Sequence, residues 1–159
     1  MGDPFGGSLP PAGGAESACQ LWVSDPTEHM TCQTLPLDTN IQMVTWNARG
    51  LFTGIHADPR RHSRKRHWFR KLLERNDITT LQETHGGEDD LNLLRREFQQ
   101  HVHWGSFCEN HRAGGLVVSI KRSFLDQFTA VVFQPIIPGR LARLLLDGTT
   151  GSLQIIVVH

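Results

Sequence analysis

The chain has 159 residues, with 16 Lys and Arg against 16 Asp and Glu, so its formal net charge is zero. That length suffices for one domain with a core of moderate size, and the neutral balance leaves nucleic-acid or membrane partners to be argued from local clusters alone. No apolar run approaches the roughly 18 residues of a membrane span, the N-terminus lacks the basic region and apolar core of a signal peptide, and the three cysteines (Cys19, Cys32, Cys108) are too few and too scattered for a disulfide framework or zinc site; a reducing intracellular setting, nucleus or cytoplasm, is expected.

Residues 1–39 mix Gly2, Gly6, Gly7, Gly13 and Gly14 with Pro4, Pro10, Pro11, Pro26 and Pro36 and show no apolar periodicity. They read as a leader with little to bury. His29 and Cys32 have a weak metal-pair spacing, but in such a segment they read as solvated residues. The domain is expected from residue 40 to 159.

Ile41 to Trp46 is β-rich and mostly apolar, which suits a strand covered on both faces. Gly50 permits a sharp turn after it. Arg64 to Asn76 reads as an amphipathic helix with Trp68, Phe69, Leu72 and Leu73 as its apolar stripe. Ile78 to Gln82 is a second strand. Glu88 to Gln100 is a second helix, with Leu91, Leu94 and Phe98 on one face and three acids in the first turn, where the helix dipole favours them. Strands follow at Val102–Phe107, Leu116–Ile120, Phe128–Phe133, Arg140–Leu146 and Leu153–Val158. The short Pro- and Gly-rich links between the last three indicate an antiparallel meander. The chain is thus α/β at first and β-rich later. It stops at His159, straight after the apolar run Ile155-Ile156-Val157-Val158, which leads to the expectation of a fragment.

The first strand–helix–strand unit has one consequence for chemistry. A crossover between parallel strands places both C-terminal strand ends at one edge of the sheet, and ligands of α/β sheets bind at that edge. Asn47 closes the first strand and Glu83 the second. A carboxylate with an amide suits a hard cation such as Mg²⁺, which takes oxygen ligands and usually one or two protein carboxylates. The Asn47 amide has two further readings: holding a phosphate oxygen, or forming the turn ahead of Gly50. Glu83 has a plain alternative as a surface acid. His159 also ends a strand, where it can hold a reacting oxygen or act as acid or base, or do neither. His85 reads as a loop histidine or as support for the site. Gly114-Gly115 permits close backbone approach, to substrate or to another strand, and Arg112 just before it is either a phosphate contact or a solvated corner residue. Seven of the twelve residues 60–71 are Lys or Arg and none is acidic. That stretch can steer a polyanion, resemble a nuclear localisation signal, or be a solvated helix face.

Four strings, in order, carry a family resemblance: Val44-Thr45-Trp46-Asn47-Ala48-Arg49-Gly50-Leu51, then Leu81-Gln82-Glu83-Thr84-His85, then Ala113 to Ser119, then Leu153 to His159. With them, residues 41–159 resemble the N-terminal half of the endonuclease/exonuclease/phosphatase superfamily, with the non-LTR retrotransposon and abasic-site endonucleases as the nearest types. The resemblance implies an α/β fold of four layers, an α/β/β/α sandwich, here cut after about half the domain. It implies that Glu83 is a metal ligand, that Asn47 lies beside the metal and phosphate, and that His159 contacts the scissile phosphate. The position two after the motif Asn is an acid in some members; here it is Arg49, which with Arg112 is expected on the substrate side. The implied cofactor is Mg²⁺ (or Mn²⁺), and the implied activity is hydrolysis of nucleic-acid phosphodiesters. The family's Asp-x-Asn motif and closing Asp-His pair do not follow His159, so the chain alone is expected to be inactive or nearly so. Two other functions fit the same residues: a non-catalytic nucleic-acid-binding remnant using the basic stretch 60–71, and a phosphatase of a small phosphorylated ligand.

Overall fold

A computed structural model describes residues 41–53, 59–110, 113–149 and 151–159. The expected leader, with Cys19, His29 and Cys32, and the candidate substrate residue Arg112 lie outside the described residues.

Ten elements follow in order: β1 (Met43–Asn47), α1 (Pro59–Arg75), β2 (Ile78–Gln82), α2 (Glu88–Glu97), β3 (His101–Ser106), β4 (Leu116–Lys121), α3 (Arg122–Leu125), β5 (Ala130–Ile137), β6 (Leu141–Gly148) and β7 (Gly151–Val158). They build two sheets. The first has the order β1-β2-β4-β3, with β1 parallel to β2 and the other pairs antiparallel. The second is the antiparallel meander β5-β6-β7. The meander and the parallel crossover both match what turn chemistry and strand–helix alternation dictate.

Alternation along the strands explains the layers. On β4, Leu116, Val118 and Ile120 face one way and join Ala142, Leu144 and Leu146 of β6 and Ile155 and Val157 of β7 in a buried core between the sheets. Val117 faces the other way, joining Phe69 and Leu73 of α1, Leu81 of β2, and Leu91 and Leu94 of α2 in a second core. The two helices therefore cover the first sheet on the face opposite the second sheet, giving three packed layers. The outer face of the second sheet exposes Val132, Ile156 and Val158, so the fourth layer of the full sandwich is not formed by the described residues. Among them, no helix is long and apolar enough to cross a membrane.

Four details differ from the sequence reading. β1 is not covered on both faces: it is an edge strand with Met43 half exposed. Its apolar run has a neighbour only on the β2 side. α1 begins at Pro59, five residues before Arg64, because proline's fixed φ suits the first helical position and the apolar stripe starts only later. α3 is a single turn, too short to show a period; its Phe124 is buried in the core between the sheets. β5 runs through Pro135, which an edge strand tolerates, with a register shift between Pro135 and Ile137.

Candidate active site

The exits of β1 and β2 continue side by side beyond the ends of the strands. Ala48 N donates to Gln82 O at 2.8 Å, Gly50 N to Glu83 O at 2.6 Å, and Phe52 N to Thr84 O at 3.0 Å. The approach to β4 lies on the other side of the same segment: Thr84 N and His85 N donate to the carbonyls of Gly115 and Gly114, each at 3.1 Å. The glycine pair thus allows close backbone approach to Thr84 and His85. A Cβ on Gly115, whose φ is +94°, would sit 2.5 Å from Thr84 Oγ1.

Three non-glycine residues here adopt left-handed backbone: Arg49 (φ 43°), Glu83 (φ 51°) and His85 (φ 50°). Such conformations cost of order 1–3 kcal/mol each and persist where surrounding structure enforces them, commonly at functional sites. One enforcing group comes from α1. Lys65 Nζ donates to the carbonyl of Arg49 and, at 3.1 Å, to that of Gly50. Its role as a loop anchor is hidden in the sequence, where it is one cation among seven.

The three side chains expected at the site meet. His159 Nε2 lies 2.9 Å from Glu83 Oε1. The Asn47 side chain hydrogen-bonds to the same carboxylate, while Asn47 Oδ1 accepts from Arg49 N at 3.2 Å. With its oxygen so used, the Asn47 amide offers its N–H to Glu83. An ionised carboxylate only accepts, so His159 Nε2–H is the donor of the first bond. His159 is itself held by its backbone, whose N–H donates to Arg140 O at 2.8 Å. These contacts hold the Glu83 carboxyl below its ordinary range: the His159 hydrogen bond contributes most and the Asn47 bond next, partial desolvation opposes them, and the charges of His159 and His85 add a little. Glu83 is therefore an anion at neutral pH. Arg49 is exposed at the rim of this group.

The ionised Glu83 carboxylate is a hard oxygen donor, suited to a Mg²⁺ or Mn²⁺ that keeps several waters, while the Asn47 oxygen is taken by Arg49 N. Among the described residues no group of three or more His, Cys, Asp or Glu is placed to hold a metal. The fit is thus to a mostly hydrated cation on Glu83, with Asn47 beside it, and not to a closed cage. A cavity of about 520 Å³ lies elsewhere, at the opposite end of the first sheet, lined by Leu73, Glu74, Phe98 and His101 among others. It is far from the strained loops that carry Asn47 and Glu83.

Residues 44–157 match the sequence profile of the Endonuclease/Exonuclease/phosphatase family. The chain belongs to that family. Among solved structures, this family member resembles AP endonuclease LMAP from Leishmania major, with a TM-score of 0.56 and 15% sequence identity. The similarity covers 79% of this chain and 43% of that one, so the chain spans less than half of the matched structure. At that identity the likeness concerns the fold. No curated protein matches the chain. Within the family frame, Asn47, Glu83 and the strand leading to His159 all fall in or next to the matched range.

Proposed function

We propose that this chain carries the metal-holding, N-terminal part of a Mg²⁺-dependent phosphodiesterase of the endonuclease type, acting on nucleic acid. The observation that supports the reading is the convergence of Glu83, Asn47 and His159 from two strand exits of one sheet and a strand end of the other. Glu83 would hold the cation, and Asn47 would orient the Glu83 carboxylate. Bound there, Mg²⁺ or Mn²⁺ supplies charge neutralisation for a phosphodiester entering the site. His159 Nε2–H is placed to donate a hydrogen bond, to Glu83 at rest and to a phosphate oxygen when substrate approaches. Arg49, exposed on the same loop, supplies a positive group. We assign no water-activating base to these residues, and the chain by itself is expected to cut slowly or not at all. The Trp-Asn and Gln-Glu-Thr strings support an endonuclease of the abasic-site or retrotransposon type.

Two readouts test this. One is nicking of supercoiled plasmid in Mg²⁺, which registers single cuts; the other is Mn²⁺ binding followed by electron paramagnetic resonance. Glu83→Gln is expected to abolish Mn²⁺ binding and, with it, any EDTA-sensitive nicking. Mn²⁺ binding that is the same in Glu83→Gln and wild type removes the reading.

A further inference from the structure

The cations of α1 from residue 64 to 75 divide into two sets in three dimensions. Lys65 is spent on the carbonyls of Arg49 and Gly50. Arg66 and Arg70 both pair with Glu97 of α2. These three cations serve the fold. Arg64, Lys71 and Arg75 make no ion pair among the described residues, and they share one side of α1. Positions 64, 68, 71 and 75 are spaced four, three and four apart, which lines them up along the face of the helix opposite its buried Phe69 and Leu73. At the centre of that line stands Trp68, 57% exposed, with Lys71 Nζ 5.3 Å from its ring centroid. The only carboxylate on α1, Glu74, is turned aside toward the groove it shares with Gln100 and His101.

A large aromatic ring exposed among unpaired cations has no role in the cores already described. We propose that this stripe of α1 (Arg64, Trp68, Lys71, Arg75) binds a single-stranded segment of nucleic acid, with the cations on phosphates and the indole against a base. The proposal rests on the reading that the substrate is a nucleic acid and adds where an unpaired part of it lies. The stripe covers about 16 Å of helix, room for a few nucleotides. Charge complementarity favours a polyanion, and the ring selects the kind. In a duplex the bases are stacked and only phosphates are offered, whereas a single strand offers base faces. An acidic lipid surface fits less well, because a membrane-lying helix presents a broad apolar face, and here Phe69 and Leu73 of α1 are buried in the core. Lys65 ties the start of α1 to the strained loop beside Asn47, so a strand lying along the stripe runs toward the candidate site.

The test is fluorescence anisotropy of a labelled oligo(dT) with the full chain in EDTA across a salt series. Four variants accompany it: Trp68→Ala, Trp68→Phe, the triple variant Arg64→Ala/Lys71→Ala/Arg75→Ala, and Glu83→Gln. Wild type is expected to bind with a salt-dependent affinity, and the triple variant to show a log–log salt slope shallower by about 2, since each single-strand phosphate contact contributes about 0.7. Trp68→Ala is expected to weaken oligo(dT) binding by roughly fivefold or more while leaving duplex binding unchanged, and Trp68→Phe to restore most of it. Trp68→Ala and the triple variant are expected to bind Mn²⁺ as wild type does. Loss of Mn²⁺ binding by Glu83→Gln therefore speaks only to the metal site, and loss of oligo(dT) binding by the stripe variants only to the stripe. No binding at low salt, equal slopes in wild type and triple variant, or a Trp68→Ala protein that binds oligo(dT) as wild type does would overturn the proposal. Tighter binding to phosphatidylserine vesicles than to oligo(dT) would overturn it as well.

Discussion

His159 and Glu83 are 76 residues apart in sequence and belong to different sheets, yet His159 Nε2 donates to Glu83 Oε1 at 2.9 Å. One bond thus ties the end of β7 to the exit of β2, across the top of the core that Val118, Leu144 and Val157 fill. It also keeps a carboxylate ionised at the edge where β1 and β2 end.

The first prediction concerns that bond. Because the His159 hydrogen bond is the largest cause of the lowered Glu83 pKa, His159→Ala should raise it, and His159→Gln, which keeps an N–H donor, should raise it less. A pH titration of the Glu83 side-chain carboxyl by ¹³C NMR measures this. An unchanged value in His159→Ala would show that the two groups do not meet in solution.

Gly50 should resist substitution. Its φ is +80°, and an added Cβ would lie 2.2 Å from Thr53 Oγ1. Left-handed strain and the forced shift of Thr53 together predict a loss of about 1–3 kcal/mol for Gly50→Ala. Urea unfolding of the two proteins checks it; equal midpoints would mean that the loop is not held as described.

Stability should fall in mild acid because of His103. The ring is 1% exposed. Nε2–H donates to Phe98 O at 3.3 Å, and Nδ1 accepts from Ser119 Oγ at 2.8 Å. Burial pushes its pKa down to about 4; the Phe98 bond opposes this, and His101, Arg95 and Arg122 add to it. In the unfolded chain the ring titrates near its ordinary 6.5. Between these values the unfolded state binds more protons. The stabilisation is therefore complete above about pH 6.5 and is lost as pH falls toward 4, by about 3 kcal/mol at the limit. Unfolding free energies from pH 7.5 to pH 4.5 (on the order of the window that separates the two states) should show a steeper decline in wild type than in His103→Gln. Parallel curves would contradict the buried neutral ring.

Much of this arrangement is legible in the sequence, for definite reasons. Strands β6 and β7 show because Leu144, Leu146, Ile155 and Val157 alternate with less buried residues, and a two-residue period is read directly. The crossover shows because Phe69 and Leu73 repeat at helical spacing between two β-rich runs. The meeting of Asn47 and Glu83 follows from topology alone, since parallel strands share an edge. What is not legible depends on three-dimensional context. Nothing local marks Glu83 and His85 as left-handed; tertiary hydrogen bonds to the Gly50, Gly114 and Gly115 backbones impose that. The apolar run of β1 is indistinguishable from a fully buried strand, because an edge is defined by a missing neighbour. The cations from residue 64 to 75 read as uniform, because only packing separates Lys65, Arg66 and Arg70 from Arg64, Lys71 and Arg75.

The most direct measurement of the central claim is site-resolved Mn²⁺ broadening of the chain's ¹H–¹⁵N NMR spectrum. A cation held by Glu83, with Asn47 beside it, predicts that amides of residues 47–50, 83–85 and 159 broaden first, and that Glu83→Gln removes the effect. Broadening that begins instead at the acidic run Glu88-Asp89-Asp90 and survives Glu83→Gln would contradict it.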